Sequence, residues 1–509
     1  MADPQKGALM DNPLTKLETR YSFNKLAIAA SVGSYLHISV QAAQTIFSEI
    51  GSRQVRVLFA LLLSLMLYSC NAKDAAADLQ EGAPKVILII GDGMDDQQIT
   101  IARNYLVGSE GTLVLDHMPY RGSVQIVTVD EGDPSKPRYV ADSANTATSM
   151  ATGGVTSPSR IGTTPGTDQV MQSVIELAEQ AGFSSGLVTT SSVTDATPAS
   201  FAVHINSRGC HGPEDMAGTV LFSYSEGCPQ YQKINGGLGS ISEQLADSGV
   251  DVILGGGRQY FEQNAEGEQQ RSVLDLAVAN GYQILSSKED LSNDLDERPI
   301  LGLFADGNLP VRLRGENGAI ATMIDRVDES AVLSEPFSCE PNPQYAGTPS
   351  LREMTETALA HFDENNGFFL MVESASIDKQ SHARNPCGSI GELEQLNEVL
   401  EASLTYAESH PETLILVTAD HAQAAQILGD ISESSVERDM VSPGFFARLR
   451  TLEGEIMGVN YATNASPTLQ MHTGAQIPLF AHGSNLDGLP SFMQQPEIFD
   501  VMVEHLGLK

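Results

Sequence analysis

Apolar runs rich in Val, Ile and Leu recur along the chain and alternate with segments of amphipathic spacing. Such runs, bounded by polar residues, predict strands covered on both faces, because one-sided strands alternate apolar and polar positions. The predicted strands span residues 85–90, 184–193, 250–257, 367–376 and 413–421. Apolar positions three and four residues apart predict helices over 168–182 and 390–410. This alternation predicts an α/β fold in layers around a mainly parallel sheet.

The part of the chain after residue 84 is predicted to form one large domain. It contains no internal repeat and no linker that would divide it, so we expect a single domain over residues 85–509. Between about residue 258 and residue 350 the periodicity is weaker, which predicts insertions or a helical subregion.

A segment ending at Cys70 carries the features of an export signal. Two arginines precede a short apolar run that ends in Leu-Tyr-Ser-Cys, which is similar to the bacterial lipobox with its lipidated cysteine. The run is too short for an ordinary membrane-spanning helix, and a buried core helix is the alternative. We therefore expect an exported, periplasmic chain with a lipoprotein-type signal peptide over 55–70, a tether over 71–84 and a lipid anchor at Cys70. Residues 1–54 would be an N-terminal extension, with a start at Val55 as the alternative.

The charge balance is strongly acidic. With 65 Asp and Glu against 29 Lys and Arg, the 509-residue chain has a formal net charge of −36. This excludes a broad basic surface for nucleic acid or for anionic lipid. The excess is explained either by solubility or by adaptation to salty, halophilic surroundings, where salt screens the repulsion. A site for an anionic substrate would have to concentrate positive charge of its own.

Acidic residues and a histidine follow several predicted strands. Ligands of parallel sheets bind at the carboxyl ends of the strands, which meet at one edge. A single Asp at such a point is usually a helix N-cap. Several like charges together would repel one another unless cations neutralised them, so the pattern predicts bound metal ions. The residues at these ends are Asp92, Asp195, Glu373, Asp378, Asp420 and His421.

The spacing of these residues indicates which metals would bind. Asp378 and His382 are four residues apart, as on one helical turn or in a tight loop, and Asp420 and His421 are adjacent. His472 stands alone in a polar loop. Mixed imidazole and carboxylate ligands suit zinc, whereas an all-oxygen set suits magnesium. The all-oxygen set is Asp92, Glu373 and the Thr197 hydroxyl.

Ser143 is the candidate nucleophile. It stands among small residues in VADSANTAT, at the start of a predicted helix through Met150, where free N–H donors and partial positive charge are available. An ordinary N-cap serine is the alternative. No GxSxG nucleophile elbow is present, because the match at residues 182–186 begins a predicted strand instead of following one, so Ser-His-Asp chemistry is not indicated. A zinc ion that lowers the hydroxyl pKa would be the activator.

Four cysteines remain after Cys70 is assigned to the lipobox. An even number in an exported chain predicts two disulfides, Cys210–Cys228 and Cys339–Cys387. A metal–thiolate site is the alternative, but no CxxC spacing supports it.

Six blocks of sequence, in this order, resemble those of bacterial alkaline phosphatases: VILIIGDGM, VADSANTAT, DATPASFAVHINSRGCHGP, FFLMVESASIDKQSHARNPCG, LVTADHAQAAQI and MHTGAQIPL. The resemblance covers residues 84–509. It implies a three-layer α/β/α sandwich with a large, mainly parallel central sheet, a homodimer, and two Zn²⁺ and one Mg²⁺ per chain. It also implies broad hydrolysis of phosphate monoesters through a phosphoserine intermediate, with release of inorganic phosphate.

The resemblance also implies a role for each motif residue. Ser143 would be the nucleophile, and Arg208 would grip two phosphate oxygens, which suits a planar guanidinium. Asp195 and Lys379 would lie behind the magnesium ligands and near the phosphate. Asn145 departs from the family pattern, which has a very small residue there. The implied ligands are Asp378, His382 and His472 for the first zinc, Asp92, Asp420 and His421 for the second, and Asp92, Thr197 and Glu373 for magnesium.

Two other functions are alternatives to this one. The first is a sulfatase or a phosphodiesterase of the same superfamily. Thr156-Ser157-Pro158-Ser159-Arg160 faintly resembles the C/S-x-P-x-R signature of sulfatases, but threonine cannot become formylglycine. A non-catalytic, metal-loaded phosphate-binding lipoprotein would be expected to lack ligands or a nucleophile, and none is missing.

Overall fold

The computed structural model describes residues 82–218, 227–293, 295–327, 330–429, 444–464, 466, 468–484 and 486–508. The predicted extension, signal peptide, Cys70 and most of the tether lie outside these residues. Within the described parts, no helix combines the length and the apolar character needed to cross a bilayer.

Five of the twenty strands in the described chain coincide with the five predicted apolar runs, to within about two residues at each end. In chain order they are β1 (Lys85–Gly91), β2 (Tyr120–Gln125), β3 (Thr128–Val129), β4 (Pro137–Arg138), β5 (Ser184–Ser192), β6 (Val252–Gly256), β7 (Gln283–Leu285), β8 (Ile300–Leu303), β9 (Leu313–Gly315), β10 (Thr322–Met323), β11 (Asp325–Val327), β12 (Ser330–Val332), β13 (Cys339–Pro341), β14 (Phe368–Ser374), β15 (Thr413–Ala419), β16 (Gln426–Leu428), β17 (Phe445–Arg450), β18 (Ile456–Tyr461), β19 (Ile477–His482) and β20 (Phe492–Gln494).

The α-helices lie between these strands. In chain order they are α1 (Asp96–Leu106), α2 (Ser143–Thr152), α3 (Val174–Gln180), α4 (Ala196–Ala199), α5 (Ile241–Asp247), α6 (Arg258–Phe261), α7 (Val273–Ala279), α8 (Leu351–His361), α9 (Ser376–His382), α10 (Pro386–Ser409) and α11 (Glu497–His505).

A ten-stranded sheet forms the centre of the described chain, in the order β20-β2-β19-β15-β1-β14-β5-β6-β8-β7. Its strands are parallel to their neighbours except β19, which is antiparallel to β15 and β2. The mainly parallel sheet is therefore confirmed.

Helices cover both faces of this sheet. Every residue of β1, β14 and β15 is buried, which requires cover on each side. One helix group centres on α10, which packs on β1, β14 and β15 and contacts α1, α8 and α9. A second group contains α2, α3, α4 and α11, of which α3 and α4 contact β5 and β14 while α11 contacts β1. This is the expected three-layer α/β/α sandwich.

Both predicted helices are present, but each begins at a different residue from the one expected. The segment 168–182 becomes helical only at Val174, because Ser173 and Glu176 form a capping box there. Before that point Asp168 has a left-handed φ of 52° and Val170 bridges to another segment. The helix predicted over 390–410 begins earlier, at Pro386, whose fixed φ suits the first helical turn.

The weakly periodic region divides among several small elements. β7 and β8 join the central sheet, while β10 belongs to an antiparallel four-stranded sheet with β17, β18 and β16. Both predicted disulfides are present: Cys210–Cys228, in the loop after Arg208, and Cys339–Cys387, which ties β13 to α10.

Candidate active site

Ser143 is the first residue of α2. Asp142 caps this helix: its carboxylate accepts the backbone N–H of Asn145, and the Asn145 side chain accepts the N–H of Asp142 in return. Ser143 is 3% exposed, and its Oγ lies 3.1 Å from Nε2 of His421. A hydroxyl oxygen at this position faces the unsatisfied N–H groups of the helix, which would stabilise negative charge on it.

Three carboxylates from neighbouring strands meet at the carboxyl edge of the sheet. The last residues of β1, β14 and β15 pair in register, which brings Asp92, Glu373 and Asp420 to one edge. None of the three is more than 1% exposed. Buried carboxylates this close to one another are unfavourable unless protons or cations compensate their charge.

Asp92, Asp420 and His421 form one group, here called the Asp92 cluster. Nε2 of His421 lies 3.5 Å from Oδ1 of Asp92 and 3.3 Å from Oδ2 of Asp420. The other Asp420 oxygen accepts the backbone N–H groups of Gly93 and His421. Oδ1 of Asp92 and Oδ2 of Asp420 are buried and accept no hydrogen bond from the described residues. Unsatisfied anionic oxygens beside an imidazole fit a divalent cation.

Asp378, His382 and His472 form a second group, the Asp378 cluster. Asp378 and His382 lie on α9, and their side chains approach to 3.2 Å, while Nε2 of His472 lies 3.4 Å from the other Asp378 oxygen. Each imidazole places Nδ1 against a backbone carbonyl, Gln470 for His382 and Ala141 for His472.

The contact of each Nδ1 with a carbonyl oxygen determines which ring nitrogen of His382 and His472 carries the lone pair. A neutral imidazole that donates from Nδ1 has its lone pair on Nε2, and the two Nε2 atoms face each other at 3.0 Å. Two lone pairs beside a carboxylate fit a shared cation. The His421 ring stacks on His472 with centroids 3.7 Å apart, so the two clusters are contiguous.

The predicted magnesium ligands differ in their surroundings. Glu373 accepts hydrogen bonds from Thr189 and Ser191 of β5. Thr197 is buried in α4, two residues beyond Asp195, which caps that helix. Asp92 follows the last residue of β1, Glu373 lies at the end of β14, and Thr197 lies in the helix that follows β5.

Two cations complete the site. The Arg208 guanidinium lies 3.3 Å from Asp142 and 3.0 Å from Asp195. The Lys379 ammonium lies 2.7 Å from Asp195 and 3.7 Å from Asp92. Asp195 thus holds both positive side chains beside the carboxylate edge. These are the positive side chains that the sequence analysis expects beside a site for an anionic substrate.

Comparison with known proteins identifies the family. The family described as "Alkaline phosphatase" matches residues 83–441. The chain is 39% identical over 445 residues to the alkaline phosphatase of Escherichia coli (strain K12), covering 86% of this chain and 88% of that protein. The chain belongs to the alkaline phosphatase family. It is therefore a phosphomonoesterase of a metal-dependent family, which accords with the two ligand clusters.

Other members extend the comparison. The streptomycin-6-phosphate phosphatase of Streptomyces griseus is 38% identical over 459 residues, covering 87% of this chain and 96% of that protein. The Thermus thermophilus alkaline phosphatase structure superposes with a TM-score of 0.61 at 21% identity, covering 85% of this chain and 93% of that chain. This structural likeness supports the alkaline phosphatase fold.

The electrostatics of this alkaline phosphatase site favour bound cations. Burial, together with repulsion from Asp378 and Asp420, raises the pKa of Asp92 well above its usual range. Burial also raises the pKa of Glu373 to about 7 and lowers the pKa of His421 to about 4, so His421 is neutral at pH 7. A neutral imidazole is the form that binds metal.

The pKa of Asp195 is shifted in the opposite direction to those of Asp92 and Glu373. Although burial alone would raise it, the charges of Lys379 and Arg208 hold the pKa of Asp195 well below its usual range. Asp195 is thus ionised throughout the physiological range, and both cations stay charged. Asp195 is the carboxylate that contacts both cations, with Asp142 as a second partner of Arg208 and Asp92 as a second partner of Lys379.

Gln423 is a site residue that the sequence analysis missed. Its Nε2 donates a hydrogen bond to Oδ1 of Asp378, the central residue of the Asp378 cluster. Gly93, with φ of 71°, permits this approach, because a Cβ there would lie 3.0 Å from Gln423 and 3.1 Å from Asp378. The sequence feature that could have indicated this role is the position of Gln423 in LVTADHAQAAQI, two residues after His421.

We expect Gln423→Ala to weaken metal binding. Partners that orient a ligand typically contribute about 10–100-fold to metal affinity, and Asp378 would lose a donor that fixes its rotamer. Metal titration followed by activity would detect the loss, and excess zinc should restore most of the turnover. Gln395→Ala is a control, since Gln395 is also buried but bonds to Glu392 on α10. Equal metal affinities in Gln423→Ala and the unaltered chain would contradict the assignment.

Proposed function

We propose that this alkaline phosphatase hydrolyses phosphate monoesters of broad specificity through a phosphoserine at Ser143 and releases inorganic phosphate. The observation that carries the proposal is the 3.1 Å separation of Ser143 Oγ from His421 Nε2, at the junction of the Asp92 and Asp378 clusters. A serine hydroxyl is a weak nucleophile without an activator, and the neutral imidazole that contacts it is one of the proposed zinc ligands, so a cation held there would lower the pKa of the hydroxyl.

The donor sets suit two zinc ions and one magnesium ion. Each zinc would have imidazole and carboxylate ligands, whereas magnesium would have oxygen ligands alone. When bound, the ions would supply Lewis acidity and neutralise charge on the phosphoryl group. The ligands would be Asp378, His382 and His472 for one zinc, Asp92, Asp420 and His421 for the other, and Asp92, Thr197 and Glu373 for magnesium.

The chain's own residues would bind and orient the phosphoryl group. Arg208 would grip two nonbridging oxygens, and Lys379 would approach the same group through water, both held by Asp195. Ser143 Oγ would form a bond to phosphorus as the ester P–O bond breaks, and the hydroxyl proton would pass to the departing alcohol oxygen. Water oxygen would then bond to phosphorus as the Ser143 O–P bond breaks, and a proton of that water would return to Ser143 Oγ. Since recognition centres on phosphate, the alcohol would be weakly selected.

Location and assembly are part of the proposal. The signal-like segment ending at Cys70 and the two disulfides support export to an oxidising, periplasmic compartment with a lipid tether. We also propose a homodimer, by analogy with the family. The net charge of −36 is compatible with salty surroundings.

The contacts of Arg160 argue against a sulfatase. Its guanidinium is paired with Glu131 and Asp168 beside the Ser157 hydroxyl, so the sulfatase-like motif serves to anchor a loop. All three guanidinium nitrogens of Arg160 donate to these carboxylates, Nε and Nη2 to Glu131 and Nη1 to Asp168, whereas the Nε of Arg208 donates to neither Asp142 nor Asp195. No edge of the Arg160 guanidinium is therefore left for a sulfate group.

A substrate panel tests the proposal. With zinc and magnesium supplied, we expect 4-nitrophenyl phosphate to be turned over at least about a hundredfold faster than bis(4-nitrophenyl) phosphate or 4-nitrophenyl sulfate. Glycerol phosphate and streptomycin-6-phosphate, the latter chosen because of the Streptomyces relative, should be hydrolysed at comparable rates if the alcohol is weakly selected. Elemental analysis should find zinc and magnesium near a 2:1 ratio. Preferred turnover of the diester or the sulfate would overturn the proposal.

A further inference from the structure

We infer that Ser159 is a positioning residue that fixes Arg208 relative to Ser143, an inference that rests on the proposed function. The backbone N–H of Ser159 donates to both carboxylate oxygens of Asp142, at 3.0 Å each. Its carbonyl accepts the backbone N–H of Arg208 at 2.8 Å. The Arg208 guanidinium in turn donates to Asp142 at 3.3 Å. The three residues therefore close a ring of hydrogen bonds.

Asp142 connects this ring to the nucleophile. The same carboxylate caps α2 through the backbone N–H of Asn145, and Ser143 is the next residue. A shift of Ser159 would therefore move the carboxylate that orients both the start of α2 and the guanidinium. Misplacing a reacting group by about 1 Å can cost about a hundredfold in rate.

The backbone of Ser159 is held in an uncommon conformation. Its φ is 75°, in the left-handed region that residues with a Cβ rarely adopt. Such conformations persist only where the surroundings fix them. Here the neighbouring Arg160 is anchored by Glu131 and Asp168, and the Ser159 side chain is 7% exposed.

The side chain itself contributes no hydrogen bond. Its Oγ is buried and has no partner among the described residues, so the contacts to Asp142 and Arg208 come from the backbone alone. Glycine would make the same contacts without the cost of a Cβ at positive φ, whereas a β-branched residue would oppose this conformation.

The experiment compares Ser159→Gly with Ser159→Val in the full-length enzyme loaded with zinc and magnesium. We expect Ser159→Gly to keep kcat/KM for 4-nitrophenyl phosphate within about twofold, and Ser159→Val to lose at least about tenfold, with inorganic phosphate bound more weakly by calorimetry. If Ser159→Val is not recovered folded, Ser159→Thr takes its place in the same comparison.

A double-mutant cycle with Arg208→Ala separates positioning from general damage. If Ser159 acts through Arg208, the β-branched substitution should cost less than about threefold in the Arg208→Ala background. Asn317→Val is a matched control, because Asn317 is also left-handed, at φ 56°, but lies in an exposed turn after β9; it should leave kcat/KM unchanged.

Equal losses in both backgrounds, or full activity of Ser159→Val, would overturn the inference. Failure of the proposed function would differ from this: the unaltered enzyme would then release no phosphate, while calorimetry with inorganic phosphate would still report on the Ser159 and Arg208 variants.

Discussion

Replacing Ser143 with alanine is expected to lower kcat for phosphate monoesters by at least about three orders of magnitude and to leave the metal content unchanged. Ser143 Oγ contacts His421, whose ring also stacks on His472 and lies beside Asp92 and Asp420, so we expect the ligands of both clusters to stay in place. Steady-state kinetics and elemental analysis on the same preparation would test both parts. Acid-quenched reactions with ³²P-labelled substrate should label the unaltered chain and not the variant.

Ser149→Ala is a control on the same helix. Ser149 is also buried in α2, and its hydroxyl donates only to the backbone carbonyl of Asn145, one turn earlier. Its loss should cost little turnover and should leave the labelling intact. A Ser143→Ala enzyme that still formed a labelled protein or retained normal turnover would remove Ser143 from the mechanism.

The distribution of charge explains why metal ions are needed at this site. The chain carries a net charge of −36, and its two cationic side chains at the edge, Arg208 and Lys379, are already paired with Asp142, Asp195 and Asp92. Without further positive charge, a phosphate dianion would meet an excess of carboxylates. Divalent cations reverse the sign of the local field where it matters for the substrate.

The central sheet could be predicted because its signal is local. β1, β14 and β15 are buried on both faces, so their sequences are unbroken apolar runs, and the acidic residues at their ends are adjacent in space because parallel strands end together. The beginning of α3 was missed because the capping box at Ser173 outweighed the apolar spacing before it. The antiparallel sheet of β10, β17, β18 and β16 has short strands with no such continuous run.

Contacts between distant segments could not be predicted from spacing. His472 is oriented by the carbonyl of Ala141, and Gln423 by Asp378, yet no local pattern places these pairs together. The role that we infer for Ser159 is the hardest to predict from sequence. It depends on a backbone N–H and a backbone carbonyl, which nearly every residue type carries. The resemblance to a family supplied the role of Arg208, which its sequence neighbourhood alone did not indicate.

Chelation is expected to abolish activity and to lower thermal stability, and the loss of stability should grow with pH. A ligand that binds only the folded state at about 1,000 times its Kd stabilises that state by about 4 kcal/mol, so removing several ions should lower Tm by many degrees. In the metal-free chain, burial raises the pKa of Glu373 to about 7 from an unfolded value near 4.5. Between these values Glu373 binds more protons in the folded chain than in the unfolded chain, so its contribution to the free energy of unfolding falls as pH rises. Calorimetry at pH 5.5 and pH 8, with and without metal, would measure both effects.

Asp420→Asn gives the sharpest form of this test. The amide keeps an oxygen for the N–H groups of Gly93 and His421, while its new N–H₂ can donate to the unsatisfied oxygen of Asp92. In the metal-free state the variant should therefore be more stable than the unaltered chain, because one of the mutually repelling carboxylates is gone. In the presence of zinc the order should reverse, because the variant lacks an anionic ligand. Identical Tm values with and without metal in the unaltered chain, or a variant less stable in both states, would show that these carboxylates are not there to hold cations.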